Sequence, residues 1–243
     1  MIVQACLNGG RLVGSHPGLP VSPAELATDA AAVVRAGADE IHLHVRGAGG
    51  RESLAPADVD TTNAALRAAV PGTLIGVSTG AWIEADDDRR LAYMADWREL
   101  PDYASVNLSE PGAPAVIERL RRLGVGVEAG LASVADAERL VRLGLVPLSL
   151  RMLIEINEQD LSEAMVVTDG ILAVLAKAGV RRPVLLHGFD ATVWAFVEHA
   201  FARGYSTRVG LEDGSALPEG RVANSNADLV KAAVKLLASG RDY

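Results

Sequence analysis

The sequence predicts a single-domain (β/α)8 barrel, or TIM barrel, that extends over residues 1–243. Apolar runs rich in branched residues alternate with helix-forming stretches, and eight such pairs follow one another along the chain. Strict alternation predicts a parallel sheet, and eight short-linked units predict that this sheet closes on itself. The 243 residues, 49% of them hydrophobic, suffice for one large core. The alternative, an open doubly wound sheet, requires a glycine fingerprint that Asn8-Gly9-Gly10 lacks.

Each predicted element is recognised by its residue pattern and by the turn or cap that ends it. The first helix shows this well, because Ser22 and Glu25 form a capping box with Pro23 at the first helical position. The predicted strands are 2–7, 39–46, 73–78, 103–108, 125–128, 147–154, 183–187 and 207–211. The predicted helices are 24–35, 56–70, 86–97, 113–123, one capped by Ser133 that ends at 143, 161–178, 191–202 and 227–237.

Composition and charge exclude several classes of function. A net charge of −8 argues against nucleic acid or an anionic membrane surface as the main partner, because both require a basic face. The single cysteine, Cys6, permits no intramolecular disulfide, and its apolar surroundings favour a buried side chain in a reducing compartment. No membrane-spanning run or leader sequence is recognised. We therefore expect a soluble cytoplasmic protein.

The second predicted strand carries two histidines on one face. Alternate side chains of a strand point the same way, so His42 and His44 share one face and Ile41, Leu43 and Val45 share the other. Two neighbouring imidazoles can bind one divalent metal ion. His-x-His alone is a weak signal, since inward-facing polar residues also occur in barrel interiors without a metal.

A carboxylate near the C-terminus completes a possible metal site. The eighth and second strands flank the first in a closed barrel, so Glu212 can point toward the two histidines across the barrel mouth. Two histidines and one carboxylate leave positions open for substrate, as in catalytic metal sites. Asp213 can remain free as a base, and the guanidinium of Arg208 suits a carboxylate of the substrate or of Asp213. The alternative is a salt-bridge cluster that closes the barrel end.

Other polar side chains at the predicted strand ends are candidates for substrate contacts. Glu128 is costly inside an apolar strand unless it is paired or faces the barrel interior, which favours a role in the site. Ser78 and Thr79 can bind a substrate oxygen or merely cap a turn. Arg151 and Glu155 are expected to form a mutual structural pair. Further candidate ligand-binding residues are Arg11, Asn107 and His187.

Four segments together resemble the β-keto acid cleavage enzymes. They are 36–46 (AGADEIHLHVR), 78–80 (STG), 208–213 (RVGLED) and 224–230 (NSNADLV), and their order agrees with that family over nearly the whole chain. The resemblance implies a (β/α)8 barrel with a divalent metal, usually zinc, held by His42, His44 and Glu212. It also implies that a β-keto acid and acetyl-CoA react to give acetoacetate and a new CoA ester.

The same resemblance assigns roles to individual residues. Asp213 and Arg208 would form or steer the substrate carbanion, and Ser78 and Glu128 match polar positions of the family's substrate pocket. Two departures stand out: the chain is shorter than most members, and the loop after the first strand has Arg11 where the type enzyme has an acidic residue for its substrate's amino group. We therefore hypothesise an anionic or neutral β-keto acid as substrate, rather than the amino-bearing 3-keto-5-aminohexanoate.

Two other functions fit the same residues. One is a metal-dependent aldolase, lyase or hydrolase that does not use CoA, and acetyl-CoA dependence would distinguish it. The other is a binding barrel without activity, which would have no chemical reason to keep the metal ligands together with Arg208 and Asp213. Exposed Trp and Leu on outer helices favour a homo-oligomer, a dimer or a tetramer.

Overall fold

The computed structural model describes residues 1–239, and in this part of the chain eight parallel strands alternate with eight α-helices. The strands are β1 (Val3–Cys6), β2 (Glu40–Leu43), β3 (Leu74–Ser78), β4 (Tyr103–Asn107), β5 (Gly126–Leu131), β6 (Arg151–Ile156), β7 (Val184–Gly188) and β8 (Thr207–Val209). The helices are α1 (Pro23–Arg35), α2 (Pro56–Ala69), α3 (Asp87–Ala95), α4 (Ala113–Arg122), α5 (Val134–Arg142), α6 (Leu161–Lys177), α7 (Val193–Ala202) and α8 (Asn226–Ser239).

The sheet closes into a barrel. Neighbouring strands pair in the order β7-β6-β5-β4-β3-β2-β1-β8. The remaining seam between β7 and β8 is bridged at Ser206, whose N–H donates to Val184 O at 3.0 Å and whose carbonyl accepts from Leu186 N at 2.9 Å. The predicted TIM barrel is therefore confirmed. Residues 240–243, the end of the predicted domain, lie outside the described part.

The strand side chains divide into an outer apolar layer and an inner polar one. Ile41 and Leu43 are fully buried in the core formed with the helices. His42, between them, faces the barrel interior, as the alternation of a strand predicts. The capping box at Ser22 is present, and Ser133 caps α5 by accepting from Asp136 N. Within residues 1–239, no helix is long and apolar enough to cross a membrane.

The predicted sixth strand begins too early in the sequence. The structure has a 3-10 turn at Val146–Leu148 and starts β6 only at Arg151. Pro147 explains the difference, since it has no N–H for a sheet ladder and its fixed φ suits the start of a helical turn. The carboxyl end of β6 lies two residues beyond the predicted one, at Ile156, so that Glu155 belongs to the strand.

Candidate active site

Three side chains converge at the mouth of the barrel where β2, β1 and β8 meet. His42 lies in β2, His44 follows its last residue, and Glu212 lies in the loop after β8. The candidate ligand atoms of these residues are all within 4.8 Å of one another. Glu212 Oε2 is 4.0 Å from His42 Nε2, and Glu212 Oε1 is 3.5 Å from His44 Nε2. The structure thus brings together the three residues predicted as metal ligands.

Two glycines allow Glu212 to reach this position. A Cβ on Gly210 would lie 1.9 Å from the carbonyl oxygen of Cys6, so only glycine lets the chain cross over β1 so closely. A Cβ on Gly9 would lie 2.3 Å from Cγ of Glu212, and Gly9 also has a φ of +54°. The glycines of the Asn-Gly-Gly and Arg-Val-Gly-Leu-Glu-Asp motifs are therefore steric requirements for placing the carboxylate.

Two asparagines fix the backbone on both sides of the site. Asn8 accepts from His44 N at 2.9 Å and donates to His44 O at 3.0 Å, which continues the ladder beyond the end of β2. Asn226 accepts from Leu211 N at 2.7 Å and donates to Leu7 O at 2.8 Å. Because each amide satisfies buried main-chain groups, the segments that carry His44 and Glu212 have little freedom to move.

Glu52 holds the ring of His44. Its Oε1 lies 2.5 Å from His44 Nδ1, and its carboxylate also accepts from Trp82 Nε1 at 3.2 Å. This contact leaves Nε2 of His44 directed toward Glu212. A carboxylate on the second nitrogen of a metal-binding histidine sets its tautomer and raises its basicity. Sequence reasoning missed Glu52, because it lies in a loop eight residues after His44 and in no recognised motif.

The two histidines differ in their protonation. Burial lowers the pKa of His42 to about 4, so its imidazole is neutral at pH 7. Burial also opposes the charged form of His44, but the carboxylates of Glu212 and Glu52 prevail and raise its pKa to about 9. Binding of a cation at His44 therefore requires release of a proton.

Asp213 lies beside the three converging residues, and Arg208 binds both its carboxylate and that of Glu212. Arg208 Nη2 donates to Glu212 Oε1 at 2.9 Å and to Asp213 Oδ1 at 2.7 Å. Burial raises the pKa of Asp213 although Arg208 opposes this, whereas Arg208 and His44 hold the pKa of Glu212 well below its usual range despite burial. His187 Nδ1 is 3.6 Å from Asp213 Oδ1, and Asp213 Oδ2 has no hydrogen-bond partner within residues 1–239.

A cavity of about 440 Å³ opens at the barrel mouth, and His42, His44, Glu212 and Arg208 line it. Asp213, predicted as a catalytic residue, does not line it and is fully buried. Of the predicted substrate-binding residues, Arg11, Ser78 and Asn107 line it. Thr79 and His187 do not: the hydroxyl of Thr79 donates to Ser105 O at 2.7 Å, and His187 is buried behind the wall. Sequence reasoning did not single out the other polar lining residues, because serine and asparagine at strand ends are common in turns. These are Ser105, Ser109, Asp136 and Asn157.

The structure does not bring Glu128, predicted as a catalytic residue, to this cavity. Glu128 Oε1 accepts from Gln4 Nε2 at 3.0 Å and from Arg151 Nε at 2.7 Å, deeper in the barrel. Arg151 also pairs with Glu40, and Gln4 Nε2 lies 3.0 Å from the hydroxyl oxygen of Tyr103. We call these five residues the floor cluster. The ion pair with Arg151 offsets part of the cost of burying Glu128, although Glu128 Oε2 has no hydrogen-bond partner in the described chain.

The expected pair of Arg151 and Glu155 is wrong. Four residues along a strand span about 13 Å, too far for an ion pair although both side chains share one face. Arg151 belongs to the floor cluster, whereas Glu155 lines the cavity.

Arg11 was expected to bind the ligand, but its guanidinium is bound to other residues of the protein. Its guanidinium donates to Asp190 Oδ1 at 2.7 Å and to the carbonyls of Glu212 and Asp213 at 3.0 and 3.2 Å. Arg11 thus forms a partly exposed ion pair with Asp190 at the cavity rim. The hypothesis of an anionic or neutral substrate, which was based on the lack of an acidic residue in this loop, stays a prediction.

The converging residues fit a divalent metal ion. They offer two imidazole nitrogens and a carboxylate, a donor set that suits zinc and related ions with open coordination positions. Glu212 Oε2 is buried, and no donor in the described chain hydrogen-bonds to it. An orphaned carboxylate oxygen beside a neutral imidazole is costly unless a cation compensates for it.

Comparison with known proteins identifies the family. The model of the beta-keto acid cleavage enzyme family matches residues 1–241. The chain belongs to this family. A member of similar sequence is the 3-keto-5-aminohexanoate cleavage enzyme of Fusobacterium nucleatum subsp. nucleatum, 25% identical over 97% of this chain and 90% of that protein. The resemblance stated from the motifs is confirmed, and with it the prediction of an enzyme that breaks a carbon–carbon bond of β-keto acids by acyl transfer with acetyl-CoA.

Solved structures show the same fold in more distant proteins. ObcA, in a ternary complex with a C4-CoA adduct and oxalate, has a TM-score of 0.72 at 18% identity over 93% of this chain. This chain spans 65% of the length of ObcA. The 3-dehydroquinate dehydratase of Geobacillus kaustophilus HTA426 has a TM-score of 0.68 at 14% identity, with 100% of this chain and 91% of that chain covered.

Proposed function

We propose that this β-keto acid cleavage enzyme is metal-dependent, with zinc as the expected ion bound by His42, His44 and Glu212. The observation that carries the proposal is the convergence of these three side chains at the end of a cavity, with Asp213 and Arg208 beside them. A divalent ion held there supplies a Lewis acid that stabilises negative charge developing beside a substrate carbonyl.

The overall reaction exchanges two acyl groups. The bond between C2 and C3 of the β-keto acid breaks, and C2 with its carboxylate joins the acetyl group of acetyl-CoA to give acetoacetate. The remaining acyl group becomes the new CoA ester. A base must remove a proton from C2 at the start, because C2 acts as the nucleophile toward the thioester.

Asp213 is the proposed base. Its Oδ2 has no partner in the described part of the chain, while Arg208 holds its Oδ1, so this oxygen can accept the C2 proton of a substrate that reaches it past the lining residues Arg208 and Glu212. Arg208 stabilises the ionised carboxylate and steers the developing carbanion. Ser78 and Asn107 line the same cavity and can donate hydrogen bonds to the substrate carboxylate.

A second cavity at the outer rim of the barrel mouth is the proposed binding site for acetyl-CoA. This cavity of about 820 Å³ adjoins the first and shares Gly10, Arg11 and Trp82 with it. Its wall combines apolar side chains of Leu12 and Val13 with the guanidinium of Arg51. This mixture suits the apolar arm and the phosphates of a CoA thioester.

The test combines metal analysis with an activity assay. We expect about one zinc, or another divalent ion, per chain in the native protein and none in a His42→Ala, His44→Ala double variant, which also loses activity. His199→Ala, a histidine change on α7 outside the cavity, should keep both. Formation of a new CoA ester must depend on acetyl-CoA. Cleavage without acetyl-CoA would favour an aldolase, lyase or hydrolase, and a metal-free active protein would overturn the metal assignment.

A cytoplasmic location and a homo-oligomeric state, dimer or tetramer, are also proposals. The free thiol of Cys6 is buried, which is compatible with a reducing compartment. Leu161 and Val166 leave apolar surface exposed on α6, where a second copy of the chain can pack. Light scattering coupled to gel filtration measures the number of subunits directly.

A further inference from the structure

Of the three tryptophans, all of which lie within residues 1–239, Trp82 alone leaves a large apolar surface uncovered. It is 56% exposed, whereas Trp97 is buried and Trp194 is half-buried. Trp82 lies in the loop between β3 and α3, at the mouth of the barrel. Exposed apolar surface of this size is informative where it borders a cavity, because such surface often marks a binding groove.

The position of the Trp82 ring is fixed by its neighbours. Its Nε1 donates to both carboxylate oxygens of Glu52 at 3.2 Å. The ring packs on Gly80, where a Cβ would lie 2.3 Å from Cη2 of the indole. The main chain of the loop is held as well, since Ala81 N donates to Glu110 Oε1 at 2.9 Å. The exposed ring is therefore a preformed surface of the barrel mouth.

Trp82 borders two cavities at once. The inner cavity, of about 440 Å³, has the three proposed metal ligands in its wall, and the outer cavity, of about 820 Å³, lies at the rim. Gly10, Arg11 and Trp82 line both cavities. Gly10 has no side chain, and the guanidinium of Arg11 is bound to Asp190. Among these three shared residues, Trp82 thus supplies the apolar surface at the junction.

A molecule that extends from the outer cavity into the inner one passes over this ring. In the proposed reaction the thioester carbonyl of acetyl-CoA must reach the β-keto acid in the inner cavity, while the charged nucleotide remains at the rim. The pantetheine arm joins these two parts, is uncharged and carries methylene groups that can cover an indole. Leu12 and Val13, two further exposed apolar side chains, line the outer cavity and extend the same surface.

We propose that Trp82 is a substrate-positioning residue that packs against the pantetheine arm of acetyl-CoA and directs the acetyl group into the inner cavity. The inference rests on the proposed function of the two cavities and adds the residue that orients the second substrate between them. Contact between the ring and the arm removes apolar surface of both molecules from water, which stabilises the complex.

The first experiment measures KM for each substrate on the metal-loaded enzyme, with the β-keto acid on which the native protein is most active. We expect Trp82→Ala to raise KM for acetyl-CoA by about 10- to 100-fold, with kcat and KM for the β-keto acid within a few-fold of the native values. This pattern indicates the loss of a contact that is equal in the ground state and the transition state. Trp82→Phe, which keeps an aromatic ring without the N–H, should restore most of the affinity. The matched control is Trp194→Phe, because Trp194 lines neither cavity.

The second experiment requires no turnover. CoA, added to the native enzyme without a β-keto acid, should shift the tryptophan emission to shorter wavelengths, because a covered indole loses contact with water. Pantetheine should cause the same shift, whereas adenosine 3′,5′-bisphosphate, the nucleotide half of CoA, should not. The shift should be absent in Trp82→Phe and present in Trp194→Phe.

An unchanged KM for acetyl-CoA in Trp82→Ala would overturn the inference, as would an emission shift caused by the nucleotide half alone. A lower number of subunits in Trp82→Ala, measured by light scattering, would do the same, since a second copy of the chain would then cover the ring. Failure of the proposed function has a different signature, because the native protein would form no CoA ester from any β-keto acid.

Discussion

Two buried clusters in this barrel have the same central arrangement, an arginine that pairs with two carboxylates. In the floor cluster Arg151 pairs with Glu40 and Glu128, and at the mouth Arg208 pairs with Glu212 and Asp213. Their surroundings differ. In the floor cluster Gln4 and Tyr103 add neutral partners, and none of its residues lines the cavity at the mouth. At the mouth, two histidines lie beside Glu212, which lines the cavity with them.

The difference shows that residue type and strand position do not separate a structural cluster from a reactive one. Each cluster has carboxylate oxygens without a hydrogen-bond partner in the described chain, Glu128 Oε2 in the floor cluster and Glu212 Oε2 and Asp213 Oδ2 at the mouth. The difference is that Glu212 and Arg208 line the cavity, whereas no residue of the floor cluster lines it. An acceptor in the cavity wall, or in contact with a wall residue as Asp213 is with Arg208, can act on a substrate or an ion, whereas the floor cluster is expected to contribute to stability. Four substitutions test whether the mouth of the barrel carries the activity and the floor cluster the stability.

The largest expected effect is a loss of activity in the variant Asp213→Asn at the mouth. The amide cannot accept a proton, so kcat should fall by about 10²- to 10⁴-fold, the usual contribution of a general base. Metal content should stay at that of the native protein, because Asp213 is not among the three converging ligands. Asp88→Asn, the same change on an exposed position of α3, serves as control. An active Asp213→Asn enzyme would show that another group removes the proton.

The next largest effect is expected on the stability of the fold, when the floor cluster loses its arginine. Arg151→Met leaves Glu40 and Glu128 buried without their cation, which should lower the free energy of unfolding by about 3–5 kcal/mol. Thermal or urea denaturation measures this loss, with the exposed Arg142→Met as control.

Glu128→Gln gives a milder version of the same test should Arg151→Met not fold. We expect a smaller loss of stability and kcat within a few-fold of the native value, because Glu128 does not line the cavity. A large fall in kcat at an unchanged melting temperature would return Glu128 to the catalytic set that the sequence resemblance implied.

The smallest effect is expected from Glu52→Gln, which changes the partner of His44 without touching a ligand atom. Loss of the carboxylate should weaken metal binding by about 10- to 100-fold, since such partners orient the ring and raise its basicity. Competition with a chelator measures the dissociation constant, and cobalt substitution reports the ligand field by absorption. If the metal affinity and the cobalt absorption spectrum do not change, Glu52 does not act on the metal site, and its contact with Trp82 is only structural.

The fold and the convergence of the three proposed metal ligands were predictable because each rests on local patterns. Strict strand and helix alternation predicts the barrel, and the order of strands in a closed barrel places Glu212 near His42 and His44. The positions and contacts of Glu52, Glu128 and Glu155 were not predictable in the same way. Which layer of the interior a side chain occupies depends on strand tilt and register, and loop residues such as Glu52 have no periodicity to reveal them.

The position of the candidate site across β2, β1 and β8 has a consequence for how the protein is made. His42 belongs to an early segment of the chain and Glu212 to a late one, and they meet only when β8 pairs with β1. A ribosome must therefore deliver the chain as far as Glu212 before the three proposed ligands can converge. Shorter chains carry the histidines without the carboxylate, so the proposed metal site forms only together with the pairing of β8.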